Sequence, residues 1–359
     1  MLLPNRLLHQ ALLAITFLGG LTACKVDTDV VVEPYESGIL VIEEGAFQKG
    51  NASISYINRQ TSQVTTEIFK KVNNRAIGDV LQSYVEIAGK GYLVVNNSNK
   101  VEIVDANTFK STGTIESGLE QCRYMVPVSK DKAFVSCWGN SAKGSVAVVD
   151  LANRVVVKQL TTGAGPEGML LKGTDLFVAN SGGFDVDNTV SVINTQTDAV
   201  ITTIPVGDVP TQLVMDRNQD IWVLCSGKPT WSSTDGLTKA ELIRINATTK
   251  QIVGRITIGG KHINGNPDNL VINGDGTILY FTLNNAVYSM AISATVASID
   301  APLIRKNLYG LGYDNATNTL YGAYAGNFTQ TGYVFRYRSG GQLIDSLRVG
   351  LIPSGFYFK

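Results

Sequence analysis

An alternating apolar strand that closes on Asp or Asn recurs along this chain at intervals of 44 to 52 residues. Its clear copies are Ile54-Ser-Tyr-Ile-Asn58, Val101-Glu-Ile-Val-Asp105, Val146-Ala-Val-Val-Asp150, Val190-Ser-Val-Ile-Asn194 and Leu242-Ile-Arg-Ile-Asn246. Two degraded copies follow, Val287-Tyr-Ser-Met-Ala291 and Val334-Phe-Arg-Tyr-Arg338. Each copy has a preceding strand such as Leu176-Phe-Val-Ala-Asn180, a following strand such as Ile252 to Ile258, and a fourth, apolar one such as Gln212-Leu-Val-Met215. The Asp or Asn at the strand end starts a turn by hydrogen-bonding its own backbone. Four short strands per period of this length, with no helical pattern, are the signature of a propeller blade. Seven copies predict an all-β, seven-bladed β-propeller over residues 38–359.

Ring closure is also legible. Gly38-Ile-Leu-Val-Ile42 matches the second strand of a unit, whereas Gly355-Phe-Tyr-Phe-Lys359 matches an innermost strand. The C-terminal strand is therefore expected to complete the blade begun at the N-terminus and so remove the exposed edges. The fourth strands, apolar on both faces, are expected in the inner layers of the packed blades.

Residues 1–23 read as a signal segment: Arg6 is positive, Ala11 to Gly20 is a short apolar core, and small residues precede Cys24. That run is too short to span a bilayer comfortably. Leu21-Thr22-Ala23-Cys24 resembles a bacterial lipobox, which makes Cys24 the lipidated first residue; a plain signal peptide containing a cysteine is the alternative. Residues 24–37 then form a tether of roughly 40 Å at full extension.

Composition narrows the chemistry. Lys plus Arg and Asp plus Glu balance at 30 each, so the broad basic field that nucleic acid favours is absent. Of the two histidines, His9 leaves with the signal and only His262 remains. A multi-histidine zinc site is excluded, and any Ser-His-Asp or Cys-His machinery must use His262. Cys122 starts one strand and Cys137 ends the next; the strands fold back around Ser129-Lys-Asp-Lys132, which brings the thiols opposite each other and predicts a disulfide. Cys225, without a partner, is expected to be a small apolar filler.

Propellers bind ligands on the face formed by the loops between second and third strands and between blades. Five of those loops carry an aromatic, namely Phe47, Trp138, Phe184, Trp231 and Phe328, which suits stacking on a flat or apolar ligand. The alternative is that some pack on neighbouring loops. The inter-blade loops add Arg75, Gln121 with Arg123 and Tyr124, Pro166-Glu167, Lys261-His262 and Asn266-Pro-Asp-Asn269 near the axis; Arg75, Arg123, Tyr124 and His262 are the candidate binding residues among them, the last either a ligand to a metal-bearing cofactor or an ordinary loop imidazole. Asp185, Asp187 and Asn188 offer oxygens to calcium, or equally to a turn. Glu43 and Glu44 are adjacent on a strand and so point to opposite faces, which makes them a poor acid–base couple. No repeated Ser-x-Asp-x-Gly-x-Thr-Trp turn of the sialidase type is present. The chain is expected to be non-enzymatic, with no resident metal and no intrinsic cofactor.

The stretch Asn180-Ser-Gly, Thr189-Val-Ser-Val-Ile-Asn194 and Thr203-Ile-Pro-Val-Gly207 resembles the YVTN propeller repeat. Gly78-Asp-Val-Leu-Gln-Ser83, Val94 to Asp105, Arg123-Tyr124, Pro166-Glu-Gly-Met169 and Ile221 to Gly227 are similar to surface propeller lipoproteins of the Bacteroidetes, a family long catalogued as a domain of unknown function. That family includes corrinoid-binding members that pass vitamin B12 to a TonB-dependent transporter. The resemblance implies a non-enzymatic protein, lipid-anchored to the outer membrane and facing the cell exterior, that captures a small-molecule nutrient, a corrinoid, for such a transporter. Lys25-Val-Asp27-Thr-Asp29 resembles the family's surface-export tag. A glycan- or protein-binding scaffold and a propeller hydrolase or lactonase are the alternatives.

Overall fold

The computed structural model describes residues 34–140, 144–228, 237–258 and 267–359. Seven antiparallel sheets make seven blades, six of them with four strands. Blade 3 is representative: Cys122–Pro127 on the inside, then Lys132–Cys137, Ser145–Asp150, and Val155–Thr161 on the outside. Among the described residues, helix is confined to Ile68–Asn73 and a single 3-10 turn at Asn96–Ser98, and none is long and apolar enough to cross a membrane. The strand-terminal Asp and Asn residues act as the sequence predicted. Asp105 Oδ1 accepts from the backbone N–H of Asn107 and Thr108, Asn194 Oδ1 from Gln196 and Thr197, and Asn246 Oδ1 from Thr248 and Thr249.

The core lies in layers between blades. One such layer joins Phe134, Val146 and Val148 of blade 3 to Leu176, Val178 and Ile193 of blade 4. The second and third strands carry this burial, as in Lys132–Cys137 and Ser145–Asp150. The inner strands are less buried than their apolar sequences predict: Pro210–Met215 is mostly half-buried because one of its faces looks toward the axis. Blade 6 is the irregular one. It has three strands, with an isolated Val287–Ile304 bridge in place of an outer strand and an Ile258–Ala297 bridge to the edge of blade 5; the outer strand of blade 1 is also short, only Val64–Thr65.

The ring closes as expected. Pro353–Phe358 pairs antiparallel with Ile39–Glu43 to complete blade 1. Its side chains reach both neighbours: Phe356 and Phe358 meet Tyr321 of blade 7 at 5.6 and 5.1 Å, and Tyr357 meets Tyr84 of blade 2 at 5.0 Å. Lys359 Nζ lies 2.9 Å from Glu86. The packed domain begins before Gly38, because Tyr35 is buried edge-on against Tyr56 and Phe109 and its N–H bonds Asn107 O. An aromatic that packs across two blades is more stable buried than in solvent, so Tyr35, expected from sequence to lie in a tether, belongs to the packed domain. Cys24 and the signal segment lie outside the described residues.

Two buried features join neighbouring strands: a disulfide within blade 3 and a carboxyl between blades 1 and 7. The predicted Cys122–Cys137 disulfide is present and closes a separation of 15 residues, worth about 3 kcal/mol in chain-entropy terms. Glu43, fully buried, accepts from Gly350 N–H of blade 7 at 2.6 Å, from Ser55 at 2.5 Å, and from Ser53. Burial raises its carboxyl above the ordinary range despite those donors.

Deleting Phe356 to Lys359 is expected to destabilise the whole ring, by about 3–5 kcal/mol, because three half-buried aromatics and the closing strand's pairing are lost together. Thermal melting checks this: a truncated protein that melts like the full chain would refute the closure. Because the folded protein raises the Glu43 pKa, that group's stabilising contribution is complete below the unfolded value, about 4.3, and is lost as pH rises through the folded value. Glu43→Gln should therefore match the parent in acid and exceed it in stability at neutral pH, as urea titrations at the two pH values would report.

Candidate functional site

The mouth of the ring is built by one backbone device used five times. Val80, Gln121, Gly165, Val209 and Ile352 directly precede the inner strands of blades 2, 3, 4, 5 and 1, and all take left-handed φ values of 52 to 59°. For β-branched valine and isoleucine this conformation is unfavourable. Hydrogen bonds offset the cost. Each of these carbonyls accepts the first N–H of the loop after the second strand: Asn96, Trp138, Ser181, Ser226 and Glu44, at 2.8 to 3.1 Å. The preceding carbonyl accepts the next N–H in every case, as in Gly139 to Glu120 at 3.0 Å.

Immediately afterwards the strand register shifts, between Leu81 and Ser83, Cys122 and Met125, Pro166 and Met169, Pro210 and Gln212, and opposite Ile42 and Glu43. A bulge of this kind releases a residue from the ladder and re-aims its side chain. The released positions carry Gln82, Arg123, Glu167, Thr211 and Ser354. With Asp268 and Tyr309 from blades 6 and 7 they put one residue per blade around a cavity of about 530 Å³.

The chemistry of this mouth is uneven. Arg123 Nε lies 3.0 Å from both Glu167 carboxylate oxygens, and its Nη1 donates to Gln82 Oε1 at 2.6 Å. The guanidinium sits over the Trp138 ring at 4.4 Å, and Trp138 Nε1 donates to Glu167 Oε2 at 2.7 Å. Burial works against the Arg123 charge, but Glu167 outweighs it and holds the group more firmly protonated than usual. Burial likewise pushes the Tyr124 hydroxyl up to about 12. On the side formed by blades 1, 6 and 7, Tyr309 OH donates to Glu44 Oε2 at 3.1 Å. Burial raises the Glu44 carboxyl. Asp268 remains reachable by water, yet its enclosure by the mouth, and then repulsion from Glu167, raise its carboxyl as well. With Asp185, the lining holds four carboxylates and one guanidinium, which opposes a polyanionic ligand.

Of the residues singled out from sequence, Arg123, Tyr124 and Trp138 come together in the lining. Phe184 is 60% exposed at the rim and packs edge-on against Trp138 at 5.7 Å; Phe328 does the same against Tyr309 at 5.3 Å. Phe47 is exposed on its loop and takes no part in the lining. Arg75 also stands apart: it is held under Phe69 and by Glu102, with Nη1–Oε2 at 3.1 Å. It follows the helix Ile68–Asn73, which carries it toward the buried Glu102 rather than the axis. Trp231 and His262 lie outside the described residues. Asp187 is occupied by turn bonds from Ala164 N, Asn188 N and Thr189 Oγ1, and among the described residues no group of three or more metal-ligating side chains converges. Cys225 is free and buried, its thiol pushed up to about 12 by burial, as a filler should be.

Glu167 and Asp268 come from inter-blade loops that the sequence places near the axis, whereas Glu44, Gln82, Thr211, Tyr309 and Ser354 join the lining without being expected as binding residues. A signal for four of them exists: Glu167, Thr211, Asp268 and Ser354 each follow a proline, at Pro166, Pro210, Pro267 and Pro353.

Residues 37–358 match the profile of a domain of unknown function, DUF5074. No curated protein matches the chain in sequence. Among solved structures it is similar to a quinonprotein alcohol dehydrogenase-like protein from Bacteroides thetaiotaomicron VPI-5482, with TM-score 0.67 and 13% identity over 90% of this chain and 78% of that one. Kuenenia stuttgartiensis hydrazine synthase (TM-score 0.59, 17% identity, 83% and 92% covered) and the computationally designed Ika8 protein (0.58, 13%, 91% and 92%) are also similar. At these identities the likeness is one of fold.

Glu167, itself buried, holds both the half-buried guanidinium and the indole, so Glu167→Ala leaves a largely enclosed charge without its carboxylate. The loss should be about 3–5 kcal/mol, with Glu167→Gln milder. Chemical denaturation measures both, and a loss below ~1 kcal/mol would show that Arg123 finds other partners.

Proposed function

The chain belongs to the DUF5074 family, and we propose that it is a cell-surface lipoprotein that binds a small-molecule nutrient over the axial mouth. The observation that carries this reading is the mouth itself: one side chain per blade converges there, between the Trp138–Phe184 and Tyr309–Phe328 aromatic pairs. Concave sites with aromatic walls and a few aimed polar groups are the usual form of small-molecule sites.

A corrinoid is the ligand class we favour. A volume of about 530 Å³ admits one edge of such a molecule and leaves its flat body against the rim aromatics. Its peripheral carboxamides would supply N–H donors to Glu44, Asp268 and Gln82, which offer acceptors. Anchoring rests on the lipobox at Leu21 to Cys24, and the recipient in this reading is a TonB-dependent outer-membrane transporter. The protein acts by binding and release, without catalysis. A glycan- or protein-binding scaffold is the second reading, favoured by Phe47 and Phe184, which are 63% and 60% exposed on the same face.

Titration of the purified protein with cyanocobalamin, followed by visible absorbance and by heat, tests the ligand. We expect one-to-one binding at micromolar Kd or tighter, weakened about 10–100-fold by Trp138→Ala. No binding at ~100 µM ligand by a protein that melts normally would overturn the corrinoid reading and favour the scaffold.

A further inference from the structure

We propose that the Cys122–Cys137 disulfide is a positioning device for the binding site, fixing the Arg123–Trp138 stack on which recognition at the mouth depends. The inference rests on the reading that the mouth is where ligand binds. Its starting point is placement. Cys122 immediately precedes Arg123 and Cys137 immediately precedes Trp138, so the covalent bond joins the two backbones at the residues before the stacked pair.

The other blades supply internal controls. The position paired across the two strands is Leu81 with Val95 in blade 2, Pro166 with Asn180 in blade 4, and Pro210 with Cys225 in blade 5. None of these pairs is covalent, and Cys225 is free. All three loops are nevertheless closed by the same two backbone hydrogen bonds that close blade 3, where Trp138 N–H reaches Gln121 O at 3.1 Å and Gly139 N–H reaches Glu120 O at 3.0 Å. Loop closure therefore does not require a disulfide.

What distinguishes blade 3 is the load it carries. Arg123 is released from the ladder by the bulge between Cys122 and Met125, so its backbone lacks the support that regular pairing gives. It must still present a guanidinium over Trp138 at 4.4 Å while both groups share one carboxylate of the next blade, Glu167. A bidentate, stacked arrangement tolerates little displacement. A crosslink one residue before each partner removes the freedom that the bulge introduces, which is preorganisation of the site. Both cysteines are essentially buried, so the bond is shielded from casual reduction.

The test compares the full-length protein with two variants that cannot form the bond. One is Cys122→Ala with Cys137→Val; the other is Cys122→Leu with Cys137→Val, which copies the pair in blade 2. Near-ultraviolet circular dichroism and acrylamide quenching of tryptophan fluorescence are read in each, and the same proteins carrying Trp138→Phe isolate the Trp138 signal. We expect a single cooperative melt in both variants and a changed Trp138 signal, with its quenching roughly doubled by local opening. We also expect cyanocobalamin affinity to fall about fivefold or more. A Trp138 signal unchanged in either melting-competent variant would overturn the proposal, because packing would then suffice. Loss of the cooperative melt in both would overturn it too, since the bond would be holding the fold rather than the site. If the corrinoid reading alone is wrong, cyanocobalamin fails with every protein, while the Trp138 signal still responds to loss of the disulfide.

Discussion

No blade of this molecule has a core of its own. Each sheet is apolar on faces that only its neighbours can cover, so burial in one interface presupposes burial in the next. A linear array would end in two uncovered faces and two open edges. Closure removes both, which is why the C-terminal strand contacts three blades at once through Phe356, Tyr357, Phe358 and Lys359. The same constraint explains the position of Glu43. A carboxyl fully buried between the first and last blades is tolerable only because Ser53, Ser55 and Gly350 satisfy it.

The parts of the fold that could be read from sequence are those with a period. Alternating strands, turn-forming Asp105, Asn194 and Asn246, and the split blade follow from spacing 2, from side-chain chemistry and from the mismatch between the two chain ends. The disulfide followed from two strands folding back on each other. Tyr35 escaped because a short segment of mixed composition gives no sign that one aromatic in it has a socket waiting.

The mouth was only half legible, and the reason is physical. Arg123, Tyr124 and Trp138 stand out as charged and aromatic groups in loops, and position in the blade was enough to place them. Arg75 has the same appearance but follows a short helix that turns it toward Glu102, and nothing in local propensity announces that. Glu167, Thr211 and Ser354 depend on a left-handed residue followed by a bulge. When that left-handed residue is Val80, Val209 or Ile352, propensity argues for the opposite conformation. Tertiary hydrogen bonds decide it, and those are visible only once the two loops are side by side.

The bulge has a consequence for how such a protein can change over time. Side chains within a paired strand are coupled to their cross-strand partners and to the packing of the next blade, so a substitution there disturbs its neighbours. Gln82, Arg123, Glu167, Thr211 and Ser354 have been uncoupled from that ladder while remaining fixed in space. They answer chiefly to one another, as Gln82, Arg123 and Glu167 do through their hydrogen bonds, at one address in each of five blades. A single ring can thus be re-lettered for a new ligand without being refolded, and blades that look alike in their strands can specify very different mouths.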